Sequence, residues 1–341
     1  MKQWKIFLGL LLLLALAAGI FGWSTWKELF GPGVAGDRII LIPTGSTMDQ
    51  VIDSLRSTGV IKDETSFRML AERKNYVNKV KPGRYKVRSG SSLNALVNML
   101  RSGDQEPMDL TFTNVNDLPE LAGRVARYLE TDSITMLRAL RDPIAHQKAG
   151  LNKNDFISLF IPNTYEFWWT TSPEKFIARM EQEHARFWNE DRKLKAKKMK
   201  MNAAEVATLA SIVQAETMRI SDAPRIAGVY LNRLRIGMPL QADPTLKFAL
   251  GLDSLKRVLD RDKLVDSPYN TYQNIGLPPG PINMPEPRFL DAVLDAEEHD
   301  FLYFCAKADL SGYSDFTKTY EQHLVNARKY QRALNARKIY R

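Results

Sequence analysis

One carboxylate in this chain stands out by its place in the pattern. Val206, Leu209, Val213 and Glu216 follow one another at steps of three and four. That spacing puts all four on one face of a helix. Asn202, with Glu205 three residues later, supplies a capping box to begin it. A carboxylate closing an apolar stripe loses hydration of its charged form, and its pKa rises. A carboxylic acid kept neutral near pH 7 can give its proton to a leaving oxygen. The periodicity equally allows Glu216 to turn outward into water on the last helical turn.

The other polar residues of interest each have a structural explanation beside a chemical one. Asp243 precedes Pro244, the ordinary arrangement of an N-cap before a helix-opening proline, so capping is expected and substrate contact would be an addition. Gln241 follows Met238-Pro-Leu240 and has no obvious local partner. Asn232 and Arg233 share a helix with Val229 and Leu234 and read as buttresses. Tyr269, Asn270, Thr271 and Tyr272 precede a loop, Gly276 to Gly280, stiffened by proline and turned by glycine. They offer rings for stacking and an amide for hydrogen bonding to a ligand. Tyr165, Trp168 and Trp169 could form a stacking wall for a ligand or pack a domain junction, with Glu166 as a second carboxylate.

Some chemistries are excluded as expectations. The single cysteine, Cys305, sits in an apolar run and reads as a core residue; it permits no intrachain disulfide. The four histidines are scattered with no HExxH-type spacing, so neither a metal nor another cofactor is expected. The net charge of +9 gathers at Arg192 to Lys200 and Arg328 to Arg341. Such runs are solvated helix faces or partners for an anionic surface, either phospholipid or an acidic polymer. No nucleic-acid motif accompanies them, so nucleic acid is not an expected partner.

Four blocks, SIVQAET (211–217), RIAGVYLNRL (225–234), GMPLQADPT (237–245) and SPYNTYQNIGLPPGPI (267–282), occur in this order and spacing. Together they resemble the YceG/MltG family of endolytic murein transglycosylases, and the resemblance covers nearly the whole chain. It implies a bacterial inner-membrane enzyme that cuts nascent peptidoglycan strands, with Glu216 as catalytic acid and base. It further implies cleavage between N-acetylmuramic acid and N-acetylglucosamine, leaving a 1,6-anhydro-muramic end, with peptidoglycan synthases as possible further partners. The FPDTYxF block of that family is matched at Phe160 to Phe167 with Asn163 in place of Asp. Asn114-Val115 replaces its usual Glu-Gly, and Ser314 stands where a histidine is usual.

The elements that must position these residues follow from the rest of the chain. Its 341 residues, 44% hydrophobic and 26% charged, are enough for two domains with cores of their own. Residues 6–26 carry no charge, a length that spans a hydrocarbon core of roughly 30 Å. Lys2 and Lys5 precede them, which predicts a cytoplasmic stretch 1–5, a transmembrane helix and an extracytoplasmic, periplasmic remainder. The rival is a cleaved signal peptide with its site at Ala15-Leu-Ala17. A Gly31-Pro-Gly33 linker follows. Ile39 to Ile42 running into Gly45 to Leu55, and Tyr85 to Val87 running into Gly90 to Leu100, each predict a strand, a glycine turn, a serine N-cap and an amphipathic helix. A weaker echo runs from Leu110 to Ala122. The second copy resembles the LysM pattern, which implies binding to N-acetylglucosamine polymers. The expected architecture is α+β: a transmembrane helix, a LysM-like module over 37–109 and a mainly helical catalytic domain over 110–341. The competing function is a membrane-anchored peptidoglycan-binding scaffold without catalysis, which would need a filled cleft around Glu216.

Overall fold

The structure, a computed structural model, describes residues 2–31, 34, 36–61, 63–251 and 258–337. Pro32 and Gly33 of the linker and the last four residues of the basic tail lie outside them. The fold is α+β, with fourteen α-helices and three two-stranded sheets among the described residues. The first helix, α1 (Lys2–Phe30), contains an exposed apolar stretch, Phe7–Ser24, long enough to cross a membrane by length and composition.

The chain divides into two compact units, the first made of residues 1–110, 128–131 and 166–172. Beyond α1 it holds β1 (Arg38–Ile42), α2 (Met48–Ser57), α3 (Glu64–Arg73), β2 (Gly83–Val87) and α4 (Leu93–Ser102). The strands pair antiparallel, with Ile40 opposite Tyr85 and Arg38 opposite Val87. Alternate residues Ile40 and Ile42 are buried with Val51, Leu55, Phe67, Tyr85, Val97 and Leu100. Two features depart from the repeat read in the sequence. Thr47, not Ser46, caps α2, because its side chain reaches the Gln50 amide while Gln50 returns the bond. A second helix, α3, capped by Asp63, also intervenes before β2.

The second unit comprises residues 111–127, 132–165 and 173–341. It takes in the end of β3 (Met108–Phe112), α5 (Leu118–Val125), α6 (Ser133–Leu140), α7 (Pro143–Ala149), the start of β4 (Asn163–Phe167), α8 (Pro173–Phe187) and α9 (Glu190–Lys198). β3 pairs with β4, where Thr111 and Thr164 share a hydrogen bond of 2.7 Å. Then come α10 (Ala203–Glu216), α11 (Ala223–Arg235), α12 (Asp243–Leu250), α13 (Pro287–Leu294), the antiparallel pair β5 (Tyr303–Ala306) and β6 (Ser314–Thr317), and α14 (Tyr320–Ala336).

At the centre of this unit lies α10. Val206, Leu209, Ala210, Ile212 and Val213 are fully buried, against Ile226 and Tyr230 of α11 and Leu290 and Val293 of α13. Each such aliphatic side chain contributes about 1.5–3 kcal/mol when withdrawn from water. The segment before α13 is also tied to α10. Ser211 Oγ accepts the Ile282 amide at 3.0 Å, and Gln214 Oε1 accepts the Glu286 amide at 2.7 Å. In the basic run of α9, Arg192 grips Asp291 at 2.7 and 3.0 Å, and Lys195 meets Asp295 at 2.8 Å.

Candidate active site

The capping box at Asn202 and Glu205 is formed, so α10 starts where the sequence says and runs to Glu216. The stripe of Val206, Leu209 and Val213 is buried, and Glu216, at its end, is half-buried rather than turned out to bulk water. Its carboxyl lines an open cleft of about 1040 Å³, together with Asp243 and Lys247 of α12, Phe304 and Cys305 of β5, Arg219, Tyr313 and Ser314. The Tyr230 hydroxyl donates to Glu216 Oε1 at 2.9 Å. Burial pushes the Glu216 pKa up to about 7, and the negative charge of Asp243 adds to the rise; the bond from Tyr230 opposes it, as do the charges of Arg233 and Lys247. The arrangement therefore offers a carboxyl that is about half protonated at neutrality and can act as acid or as base.

Asp243 is the second carboxylate of the cleft. It does not cap α12. Ala242 occupies the N-cap position and Asp243 the first helical one, where its Oδ1 accepts from the Tyr272 hydroxyl at 2.6 Å. Asp243 is exposed. The turn before it is built from backbone. Gln241 adopts a left-handed φ of 52° and donates its amide to the Thr271 carbonyl at 2.9 Å, which leaves its side chain exposed. Arg233 is buried and donates to the Leu240 carbonyl at 2.5 Å and the Leu302 carbonyl at 2.7 Å, so it pins the approach to this turn. Asn232 likewise holds the carbonyls of His299 and Phe301. Both act as the buttresses their helical placement implies.

A model of the YceG-like family matches residues 40–329. The chain belongs to that family. The endolytic murein transglycosylase of Bacillus subtilis strain 168 is 31% identical over 306 residues, covering 85% of this chain and 84% of that protein. The enzyme of the same name from Streptococcus pneumoniae D39 is 27% identical over 337 residues; this chain spans 58% of that longer protein. The crystal structure of a YceG-like protein from Listeria monocytogenes superposes with a TM-score of 0.58 at 29% identity, over 85% of this chain and 98% of that one.

Within this YceG-like chain Tyr269, Asn270, Thr271 and Tyr272 stand behind the cleft rather than among the residues that line it. Tyr272 holds Asp243. Tyr269 is half-buried, with its ring on Phe248 at 4.6 Å. Asn270 and Thr271 are fully buried, and their polar groups are engaged within the protein. Asn270 Nδ2 donates to the carbonyls of Lys263 and Val265, and its Oδ1 accepts the Tyr272 amide at 3.0 Å. Thr271 Oγ1 accepts the Ala242 amide at 3.0 Å and bonds Thr245 at 2.8 Å. They shape the wall that carries Tyr272 and Asp243 and present no polar group to a ligand. The loop beyond needs Gly280, because a Cβ there would strike the Asn154 carbonyl.

Two further expectations are corrected. Tyr165 is no stacking platform: it is 6% exposed, its ring packs on Phe112 and its hydroxyl donates to the Ile161 carbonyl at 2.6 Å. Cys305 is not a core residue but half-buried on β5, at the cleft. Glu166 and Trp168 are exposed on the first unit. Tyr230 and Arg219 were missed. Tyr230 had a signal, since Ile226, Tyr230 and Arg233 share one face of α11 and a buried tyrosine hydroxyl needs a partner. Arg219 had none; its guanidinium lies 5.0 Å from the Tyr313 ring centroid and donates to the Ser311 carbonyl, a contact across 92 residues. Ser314 lines the cleft, its amide bonded to Asp222 at 2.8 Å.

Proposed function

We propose that this chain is an endolytic peptidoglycan lytic transglycosylase in which Glu216 serves as both acid and base. The observation that carries this reading is a single carboxyl raised to about 7 at the edge of an open cleft, in a chain whose curated relatives bear the name endolytic murein transglycosylase. Protonated Glu216 gives its proton to the oxygen linking N-acetylmuramic acid to N-acetylglucosamine, and the C1–O bond breaks. The muramoyl C6 hydroxyl then attacks C1 and its proton passes to Glu216, which restores the acid and closes a 1,6-anhydro ring. The substrate supplies the nucleophile, so no second carboxylate has to attack. Asp243, Tyr272, Tyr269 and Gln241 are the proposed contacts for the glycan.

The anchor, α1, fits a single pass of the inner membrane with the rest of the chain on the periplasmic side, where nascent strands and their synthases would be met. The paired strands and three helices between residues 37 and 109 fit a LysM-like module that positions glycan. The cleft at Glu216 is open, which weighs against a scaffold without catalysis. The test is mass spectrometry of products from isolated sacculi. The wild type is expected to leave 1,6-anhydro-muramic ends, and Glu216→Gln to fold but lose about two or more orders of magnitude in rate. Reducing ends from the wild type, or an undiminished Glu216→Gln enzyme, refute the assignment.

A further inference from the structure

We infer that Tyr230 is a positioning residue that decides which oxygen of Glu216 carries the reacting proton and sets the alkaline limit of the reaction. The inference rests on the assignment of Glu216 above and goes beyond it. Tyr230 is 1% exposed, so its hydroxyl has no access to water in place of a protein partner. Its ring is held edge-on by Phe304 of β5, with centroids 5.8 Å apart and planes at 90°. The backbone beneath it sits in the second turn of α11, where Ile226 and Ala227 are buried against α10. A phenol fixed in this way has one acceptor at 2.9 Å, Glu216 Oε1. Among the described residues no hydrogen bond is made to Oε2, and Glu216 lines the cleft.

The chemistry follows from donor and acceptor roles. A tyrosine well below its pKa keeps its proton, and burial beside Glu216 pushes that of Tyr230 well above the ordinary value. Tyr230 therefore remains a donor throughout the working range. Because Oε1 already accepts this hydrogen, the proton of the neutral carboxyl belongs on Oε2. In the first step that proton leaves Oε2 for the glycosidic oxygen as the C1–O bond breaks. In the second, Oε2 of the carboxylate takes the proton of the attacking C6 hydroxyl. Tyr230 keeps its own hydrogen throughout, but its bond is stronger to the carboxylate than to the acid. It thus favours the anion, as the charges of Arg233 on α11 and Lys247 on α12 do and that of Asp243 on α12 does not, and holds the Glu216 titration lower than burial alone would leave it.

The test uses full-length protein in detergent with sacculi as substrate, and compares the wild type, Tyr230→Phe and Glu216→Gln. Phenylalanine keeps the ring against Phe304 and removes only the donor. The expected result is a rate reduced about tenfold at the plateau with little change in KM. The alkaline limb of the rate profile should also move to higher pH by about half to one unit. Labelling of Glu216 by a carbodiimide with an amine tag, read by peptide mass spectrometry, follows the protonated carboxyl without requiring turnover. It should persist to higher pH in Tyr230→Phe by the same amount. A purely structural role would lower the rate and leave both pH dependences in place, and that result overturns the inference. So does a limb that moves to lower pH. An active Glu216→Gln enzyme would sink the underlying assignment instead, while an inactive one with an unmoved Tyr230→Phe limb sinks only the present inference.

Discussion

Replacing Glu216 by glutamine should make the protein more stable at alkaline pH while destroying its activity. In the folded chain the carboxyl titrates near 7, against 4.5 for an unhindered glutamate. The folded state thus binds more protons than the unfolded state between those values. Stability from this group is fully present below about 4.5 and falls as pH rises, until the loss is complete above about 7. At about 1.4 kcal/mol per pH unit the whole shift corresponds to roughly 3 kcal/mol. Water reaching the half-buried side chain through the cleft reduces this to about 2 kcal/mol. Glutamine has no charge to desolvate, and its carbonyl oxygen can still accept from Tyr230. For a unit of this size 2 kcal/mol is a shift of about 4–8 °C in Tm. Thermal unfolding of both proteins in detergent at pH 4.5, 6 and 8 measures it. The variant should match the wild type at pH 4.5 and exceed it increasingly toward pH 8. A difference that stays constant with pH, or a variant that weakens as pH rises, would refute the placement of a desolvated carboxyl at the end of α10.

Asp243→Asn removes the like charge that helps raise the Glu216 pKa, so the alkaline limb of the rate profile should move to lower pH, the opposite of Tyr230→Phe; an unmoved limb would show that the two carboxylates do not interact. Thr271→Val deletes the buried hydroxyl that serves the Ala242 amide and Thr245; it should cost about 1–3 kcal/mol in denaturant unfolding, and an unchanged midpoint would mean the turn before α12 does not depend on it. A reporter fused after Arg341 should be active only outside the cytoplasm, with the mature chain beginning near Met1; a soluble form starting near Ala18 would mean that α1 is a cleaved signal.

The position of Glu216 was legible in the sequence because two local rules agreed there. The capping box fixed where α10 begins, and the three-and-four spacing then set which face the carboxylate shares. Asp243 shows the limit of the same reasoning. A proline one residue later made capping the natural reading, yet the backbone starts the helix one position earlier. The reason is not local: Thr271, nearly thirty residues downstream, holds the Ala242 amide and the Gln241 amide with its side chain and carbonyl. Asn270 and Thr271 looked like ligand contacts for the same reason that they are supports, since polar groups in a proline-rich loop need partners and only the folded chain shows whose they are. Tyr165 failed in the opposite sense. Its aromatic neighbours suggested a surface for sugars, but its strand alternates, and its inward position packs it on Phe112.

The two carboxylates of the cleft also show how the fold assigns unlike roles to like groups. Glu216 is the last residue of α10, and Asp243 is the first of α12. The end of a helix carries unsatisfied carbonyls and a partial negative charge, while its start carries amides and a partial positive one. An anion is therefore disfavoured at the helix end that carries Glu216 before any side chain is considered. The surroundings push the same way. Glu216 closes an apolar stripe and is half-buried, whereas Asp243 is exposed and accepts from Tyr272. A charged Asp243 in turn makes ionisation of Glu216 harder, as like charges in one cleft must. Helix ends, burial and mutual repulsion thus separate the pair into a carboxyl disposed to keep its proton and an exposed carboxyl bonded by the Tyr272 hydroxyl. Either carboxylate moved to the opposite end of its helix would lose that distinction.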